Sequence, residues 1–149
     1  MALVNVRFFY KNNQHSYKHE IIISSVCNAV AQLIDLPTEL EVCLYSLGNN
    51  VYGGVDRYKI NRLGINYDIP MEELPLILVH ELIHVNQKHT GLLRIAQDGL
   101  IYWRGIPYTK KLPEELEYSE YEKLPWEIDV ENQQIDLLHR AIPLLKRYS

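Results

Sequence analysis

Three residues near the middle of the chain have the types and the spacing of a metal site. His80 and His84 are four positions apart, and Glu81 directly follows the first histidine. On a helix, residues i and i+4 lie on one face, so both imidazoles can approach the same ion. Imidazole nitrogen is a preferred ligand of zinc, and a carboxylate beside the metal can take a proton from a zinc-bound water. The pattern H-E-x-x-H therefore predicts one Zn²⁺ held by His80 and His84, with Glu81 as general base.

A plainer interpretation of this pattern is a buried helix whose two histidines are hydrogen-bonded to the backbone. The apolar run from Leu74 to Val79 precedes the motif, which indicates a central helix. Burying two histidines and a glutamate in such a helix costs free energy unless a partner satisfies them. Because one metal ion would satisfy all three, we favour the metal site.

A catalytic zinc typically has three protein ligands and a position for water, so a third ligand is expected. The continuation H-E-x-x-H-x-x-G-x-x-H is excluded, because Gln87 and Thr90 occupy the glycine and final histidine positions. Glu127 is the preferred third ligand, since it begins a helix with an apolar stripe. Its alternative role is that of an acidic first-turn residue that favours the helix dipole.

Other residues could support or replace Glu127. Glu131 lies one turn later on the same helix face, and its carboxylate is expected to accept the outer N–H of a histidine ligand; its alternative is a solvated side chain. Asp129 is a weaker candidate for that role, because it points elsewhere on an ideal helix. His89 lies too far around the motif helix to be a ligand, and His139 has no supporting motif.

The first half of the chain is predicted to form a small sheet with one helix. Alternating and β-branched residues predict strands over 3–10, 41–47, 51–58 and 63–67, with polar turns at 11–14 and 48–50. Apolar residues at helical spacing predict a helix over 17–34, capped by Ser16 and ended by Pro37. These segments indicate a mixed or antiparallel sheet, one edge of which could pair with an extended substrate.

The motif helix is predicted to begin near 68–71, with Asp68 as its cap, and to run to His89. Pro75 falls in or near its first turn, and Gly91 lies just past its end. Asp98-Gly99 then predicts a hairpin with a type I′ turn between strands 92–97 and 100–104.

After the hairpin, Gly105 and Pro107 are expected to break the second strand. Residues 109–124 are charged and tyrosine-rich, which predicts a surface loop or a short helix. The last helix begins at Pro125, and Pro143 bends or ends it. Its predicted inner stripe consists of Ile128, Ile135, Leu138, Ile142 and Leu145.

The composition is ordinary: 149 residues, 47% hydrophobic, 23% charged and a net charge of −4. These values predict one globular domain over residues 1–149, and without a basic excess nucleic-acid binding is not expected. Cys27 and Cys43 are expected to behave as small core residues. We find no signal peptide and no apolar run of membrane-spanning length, so we expect a cytoplasmic protein without membrane association.

Two segments carry a resemblance to a known family: the motif at 80–84 and the later Pro125-Trp126-Glu127-Ile128-Asp129-Val130-Glu131. With a small α+β sheet and an Asp-Gly hairpin, they resemble the zincin metallopeptidases of the gluzincin type, and among them compact metallopeptidases often encoded by bacteriophages. The resemblance covers the second half of the chain specifically and the first half in outline.

This resemblance implies zinc bound by His80, His84 and Glu127, with Glu81 as general base. It also implies a small zincin-like α+β domain, in which a mixed or antiparallel sheet packs on an N-terminal helix and the motif helix, followed by a hairpin and a C-terminal helix. The family usually has aspartate four residues after the ligand, where this chain has Glu131.

Larger gluzincins also use a histidine or tyrosine on the oxyanion, and this chain offers several tyrosines for such a substrate contact. The candidates are Tyr102, Tyr108, Tyr118 and Tyr121. For Tyr102 and Tyr108 the alternative is a hairpin whose aromatic side chains pack on the core.

The function expected from these residues is zinc-dependent hydrolysis of peptide bonds in a peptide or protein substrate, in a host cytoplasm if the chain is phage-encoded. The alternative is a catalytically silent, zinc-stabilised binding or assembly protein, such as a phage accessory factor. A third hypothesis keeps the zinc and cleaves an amide of a cell-wall peptide, which the acidic net charge disfavours. The sequence leaves the oligomeric state open.

Overall fold

The computed structural model describes residues 3–11, 16–46, 53–55, 59–108 and 118–147. The predicted turn at 48–50 and most of the turn at 11–14 lie outside the described residues. So do the ends of the predicted third strand and residues 109–117 of the charged segment.

A four-stranded mixed sheet forms one layer of the α+β fold. Its order is β1-β2-β4-β3, with β1 (Asn5–Tyr10), β2 (Glu39–Tyr45) and β4 (Arg62–Asn66) parallel and β3 (Gly53–Val55) antiparallel at the edge. Of the two sheet types expected, the mixed one is observed. Leu40, Val42 and Leu44 alternate along β2 and are fully buried, which places the core on one face of the sheet.

The crossover between the parallel strands β1 and β2 contains α1 (Tyr17–Ala31). Ser16 caps this helix as predicted, and its side chain accepts a hydrogen bond from the His19 backbone N–H. The helix ends earlier than position 34, at the cap residue Gln32.

The motif lies on α2 (Leu74–His89), which is buried on most sides. Its end at His89 and the position of Pro75 in its first turn are confirmed, and Gly91 just beyond has a φ of +82°. The predicted start near Asp68 is wrong. The Asp68 carboxylate accepts a hydrogen bond from the Ser46 hydroxyl, and its N–H donates to the Asn66 side chain, so both groups tie it to the ends of β2 and β4.

A second, three-stranded antiparallel sheet follows, with β5 (Leu93–Ile95), β6 (Ile101–Trp103) and β7 (Ile106–Tyr108). The hairpin at Asp98-Gly99 is confirmed, but its predicted type I′ turn is wrong. That turn needs positive φ at both residues, and Gly99 alone has one.

The type I′ signature occurs one hairpin later. Arg104 and Gly105 have φ values of 52° and 81°, and they join Trp103 directly to its partner Ile106. The expected break of the second strand at Gly105 is confirmed, because the glycine lies in this tight turn. The expected break at Pro107 is wrong: the proline lies in the edge strand β7, which tolerates it.

A short helix α3 (Tyr118–Tyr121) precedes α4 (Pro125–Ala141), which continues as a 3₁₀ helix (Ile142–Arg147). The start at Pro125 and the change at Pro143 agree with the sequence. Leu138 and Leu145 pack against the main core as predicted.

Three members of the predicted inner stripe of α4 are wrong. Ile128, Ile135 and Ile142 are 45%, 50% and 50% exposed. The buried face consists instead of Trp126, Glu127, Val130, Leu137 and Ala141. The helix carries two apolar stripes, and the one beside the metal-ligand candidate is the one that packs inward.

Along the described part of the chain, none of the helices combines the length and the apolar character that crossing a bilayer would require.

Candidate metal centre

His80, His84 and Glu127 converge on one point between α2 and α4. Each offers one ligand atom, and these atoms lie within 4.8 Å of one another. The Nε2 of His84 is 3.0 Å from Glu127 Oε1, and the Nε2 of His80 is 3.7 Å from Glu127 Oε2. Two imidazole nitrogens and a carboxylate oxygen are a donor set that zinc accepts, so the residues present fit the ion that the sequence predicts.

Gln87 holds the outer side of His84. Its Oε1 lies 2.9 Å from His84 Nδ1, while its Nε2 donates to the Trp126 carbonyl and to Asp129 Oδ2, both at 2.9 Å. Gln87 is fully buried. This one amide therefore joins a ligand on α2 to the first turns of α4, where Glu127 is located.

Gln134 has the matching role at His80. Its Oε1 lies 2.8 Å from His80 Nδ1, and its Nε2 donates to Glu131 Oε2 at 3.2 Å. Glu131 makes no hydrogen bond to either histidine in the described structure. The expected direct contact between Glu131 and a ligand is replaced by a contact through Gln134, because position 131 faces solvent and position 134 faces the site.

Glu127 and His84 shift each other's pKa in opposite directions. Burial by itself raises the pKa of Glu127, but the hydrogen bond from His84 and the charge of that ring lower it below its usual value, with help from Tyr121 and His80. Burial by itself lowers the pKa of His84, and the hydrogen bond and charge of Glu127 outweigh this and raise it. Each side chain therefore favours the charged form of the other.

Glu81 lies on the same helix between the two histidines, and it is 7% exposed. It makes no hydrogen bond to another described residue. Burial raises the pKa of its carboxyl, and the neighbouring His84 and His80 only partly offset this. A carboxylate with a raised pKa is a stronger base than one in water, so it accepts a proton more readily.

Two tyrosines approach the acidic groups of the site. The Tyr121 hydroxyl donates a hydrogen bond to Glu127, and burial together with that carboxylate raises its pKa. Tyr45 was not among the predicted residues; its pKa is raised by burial and then by the charge of Glu81. Its ring lies against Gly64, where an added Cβ would come within 2.9 Å of it.

The other predicted candidates lie elsewhere. Tyr102 is covered by the Arg94 guanidinium at 4.1 Å, and Tyr108 packs edge-on against Trp126 at 5.2 Å between ring centroids. The Tyr118 side chain lies outside what the structure describes. His89 pairs with Asp35 at 3.5 Å.

Among the site residues that were not predicted, Gln87 is the one that its spacing in the sequence could have indicated. It is three positions after His84 and so on the same helix face, where its amide can reach the ring. His139 is exposed on α4. Asp129, the weaker candidate in the sequence, contacts Gln87, and Gln134, which no sequence motif indicates, contacts His80.

Comparison of the chain with protein-family models, with curated proteins and with solved structures returned no significant match.

Proposed function

We propose that this chain is a zinc-dependent peptidase in which His80, His84 and Glu127 hold the metal and Glu81 is the general base. The observation that supports this most is the convergence of the three ligand atoms within 4.8 Å, from two different helices. An ordinary pair of core histidines would not need a carboxylate aimed at both Nε2 atoms.

The number of ligands favours a catalytic over a structural metal. Structural zinc is almost always held by four protein ligands, whereas catalytic zinc has three and a free position. Within the described residues, one group of three was found. The side chain of His80 is 26% exposed, so the free position would face solvent on its side.

The residues of this chain would divide the reaction between them. Bound zinc supplies a Lewis acid for the scissile carbonyl and lowers the pKa of a coordinated water. Glu81 accepts the proton of the attacking water and passes it to the leaving amine. Tyr121 places a hydroxyl donor beside Glu127, from which it could turn to the developing oxyanion.

The sheet edge supports an extended peptide as substrate. β3 is one of the two edge strands of the mixed sheet, and it contacts α2. An edge strand has backbone N–H and C=O groups free on one side, and these can pair with an added strand. A peptide bound there would run beside the motif helix.

The first test is metal content and cleavage. Purified wild type should retain one zinc ion, and Glu127→Ala should lose it. Zinc-loaded wild type should cut members of a broad peptide library. Glu81→Gln should keep the zinc and lose the cutting by a factor of about 100 or more.

Glu73→Gln is the matched control, because Glu73 is an exposed N-cap residue of the same helix without a side-chain cap bond. It should retain both zinc and cleavage. Full cleavage by Glu81→Gln would remove Glu81 from the reaction, and a wild type that binds no zinc would refute the metal site itself.

A zinc-stabilised binding protein is the second candidate. It is favoured by one observation: Gln87 and Glu127 already join α2 to α4, so a metal there would reinforce a helix contact. In that case zinc would raise the free energy of unfolding of wild type and of Glu81→Gln equally, and the library would remain uncut.

A further inference from the structure

The two glutamines beside the site have amide orientations that their other partners determine. The Nε2 of Gln87 faces two acceptors, the Trp126 carbonyl and the Asp129 carboxylate. The Nε2 of Gln134 faces the Glu131 carboxylate. Turning either amide over would place its oxygen against these acceptors, so each Oε1 must face the histidine.

The tautomer of each ring follows from this. A carbonyl oxygen accepts only, so His84 Nδ1 at 2.9 Å and His80 Nδ1 at 2.8 Å must each carry a proton. With Nδ1 protonated, Nε2 is the ring atom left to bind a metal; in the metal-free chain His84 Nε2 instead donates its proton to Glu127. Both Nε2 atoms are the ones directed at Glu127.

We propose that Gln87 and Gln134 are positioning residues of this metal site, which hold both imidazoles as the Nδ1–H tautomer and keep a carboxylate one hydrogen bond away from each ring. This inference rests on the proposed zinc site and adds two residues to it. Both glutamines contact the rings at Nδ1, whereas the atoms directed at Glu127 are the Nε2 atoms.

The interposed amide has a chemical consequence. A carboxylate that accepts directly from a ligating histidine raises the basicity of the ring and strengthens its bond to the metal. A neutral carbonyl raises the basicity of the ring less than a carboxylate does. Asp129 and Glu131 therefore polarise the amides but raise the basicity of the rings less than a direct contact would. A metal held by these rings would keep more of its Lewis acidity.

The test replaces each amide by an isostere without hydrogen-bonding groups. Gln87→Met and Gln134→Met should each raise the zinc Kd by about 10- to 100-fold in competition with a chelator. Gln133→Met is the matched control: Gln133 is a half-buried neighbour on α4 with no hydrogen bond to another described residue. Its zinc Kd should equal that of wild type.

A second measurement separates positioning from general stability. Ring ¹⁵N–¹H correlation spectra of the zinc-loaded chain should contain an exchange-protected Nδ1–H for His80 and for His84. Gln134→Met should remove the protection at His80 alone, and Gln87→Met that at His84 alone. Gln134→Glu combined with Glu131→Gln restores both the acceptor for His80 and a donor for the carboxylate at position 134, so it should recover the His80 signal and bind zinc at least as tightly as wild type.

The outcomes can be told apart from failure of the proposed function. If wild type binds zinc and cleaves nothing, hydrolysis fails and the positioning role stands. If wild type binds no zinc, the same spectra of the metal-free chain report whether Nδ1 is protonated in wild type and changes in Gln134→Met. Unchanged ring signals and zinc Kd in Gln134→Met overturn the positioning role, even if the buried Gln87→Met does not fold.

Discussion

The two histidines of the candidate centre differ in how completely the protein surrounds them. His84 exposes 11% of its side chain, lies 3.0 Å from Glu127, and is held by the fully buried Gln87. His80 exposes 26%, lies 3.7 Å from Glu127, and is held by the half-buried Gln134. We refer to His84, Gln87 and Asp129 as the closed half, and to His80, Gln134 and Glu131 as the open half.

This difference in exposure means that losing a hydrogen-bond partner has a different cost in the closed half and in the open half. Where water is excluded, losing one partner leaves a buried polar group unpaired, which costs about 1–3 kcal/mol. Where water can enter, it replaces the lost partner at little cost. The closed half therefore contributes to folding stability, and the open half is where the site can adjust to a bound molecule.

The largest expected effect is on the stability of the metal-free chain. His84→Ala leaves Gln87 Oε1 without a donor and removes the nearest partner of the buried Glu127 carboxylate, so we expect a loss of about 3–5 kcal/mol. His80→Ala should cost about 1 kcal/mol, because water can reach the vacated position. Urea unfolding in the presence of a chelator measures both.

Equal losses in the two variants would contradict the division into halves. Both variants should also lose zinc binding, which checks that each histidine is a ligand independently of its contribution to folding.

The sequence was sufficient to predict the three residues that meet at this centre. His80 and His84 on one helix face follow from their spacing, and Glu127 follows from its place at the start of a helix after Pro125. Helix periodicity accounts for the two histidines, because it is a local property that tertiary packing does not change. That Glu127 meets them depends also on how α4 packs against α2.

The outer contacts were not predictable in the same way. Whether Glu131 or Gln134 faces His80 depends on the rotation of α4 about its axis, and that rotation depends on which apolar stripe packs. The isoleucines at 128, 135 and 142 are as apolar as the residues of the buried stripe, so the pattern alone does not choose between them. Because the predicted inner stripe of α4 was wrong, the predicted contact between Glu131 and a histidine was wrong as well.

A second prediction uses pH to examine the closed half in the metal-free chain. The pKa of His84 lies above its usual 6.5, because the hydrogen bond and charge of Glu127 overcome burial. The pKa of Glu127 lies below its usual 4.5, because His84 overcomes burial there. The histidine's contribution is complete below pH 6.5 and is lost as pH rises through the raised pKa.

The carboxylate's contribution is complete above pH 4.5 and is lost as pH falls through the lowered pKa. The difference in unfolding free energy between wild type and Glu127→Gln should therefore be largest between pH 4.5 and 6.5. Urea unfolding at several pH values measures it, with the uncharged exchange Gln133→Met as reference. A difference that is flat across this range would mean that the two side chains are not coupled.

A smaller effect is expected one hydrogen bond further from the rings. Asp129→Ala removes one of two acceptors from the buried Gln87 amide and should destabilise the chain by about 1 kcal/mol. Glu131→Ala removes the partner of the half-buried Gln134 and should cost less than about 0.5 kcal/mol. Thermal unfolding compares the two, and a larger loss for Glu131→Ala would reverse the assignment of closed and open halves.

The smallest effect on stability is expected at Tyr121, which contacts the ligand that both halves share. Tyr121 is 39% exposed, so water can replace its hydroxyl in Tyr121→Phe and the loss should stay below about 0.5 kcal/mol. If the hydroxyl also turns to the oxyanion in the proposed hydrolysis, kcat should fall about 100-fold while KM is unchanged. Tyr17→Phe, at a tyrosine that is 76% exposed on α1, is the reference. An unchanged kcat in Tyr121→Phe would limit this hydroxyl to a contact with Glu127, and the oxyanion would then need another donor. Tyr45, whose pKa is raised by burial and then by the charge of Glu81, is the next residue to test.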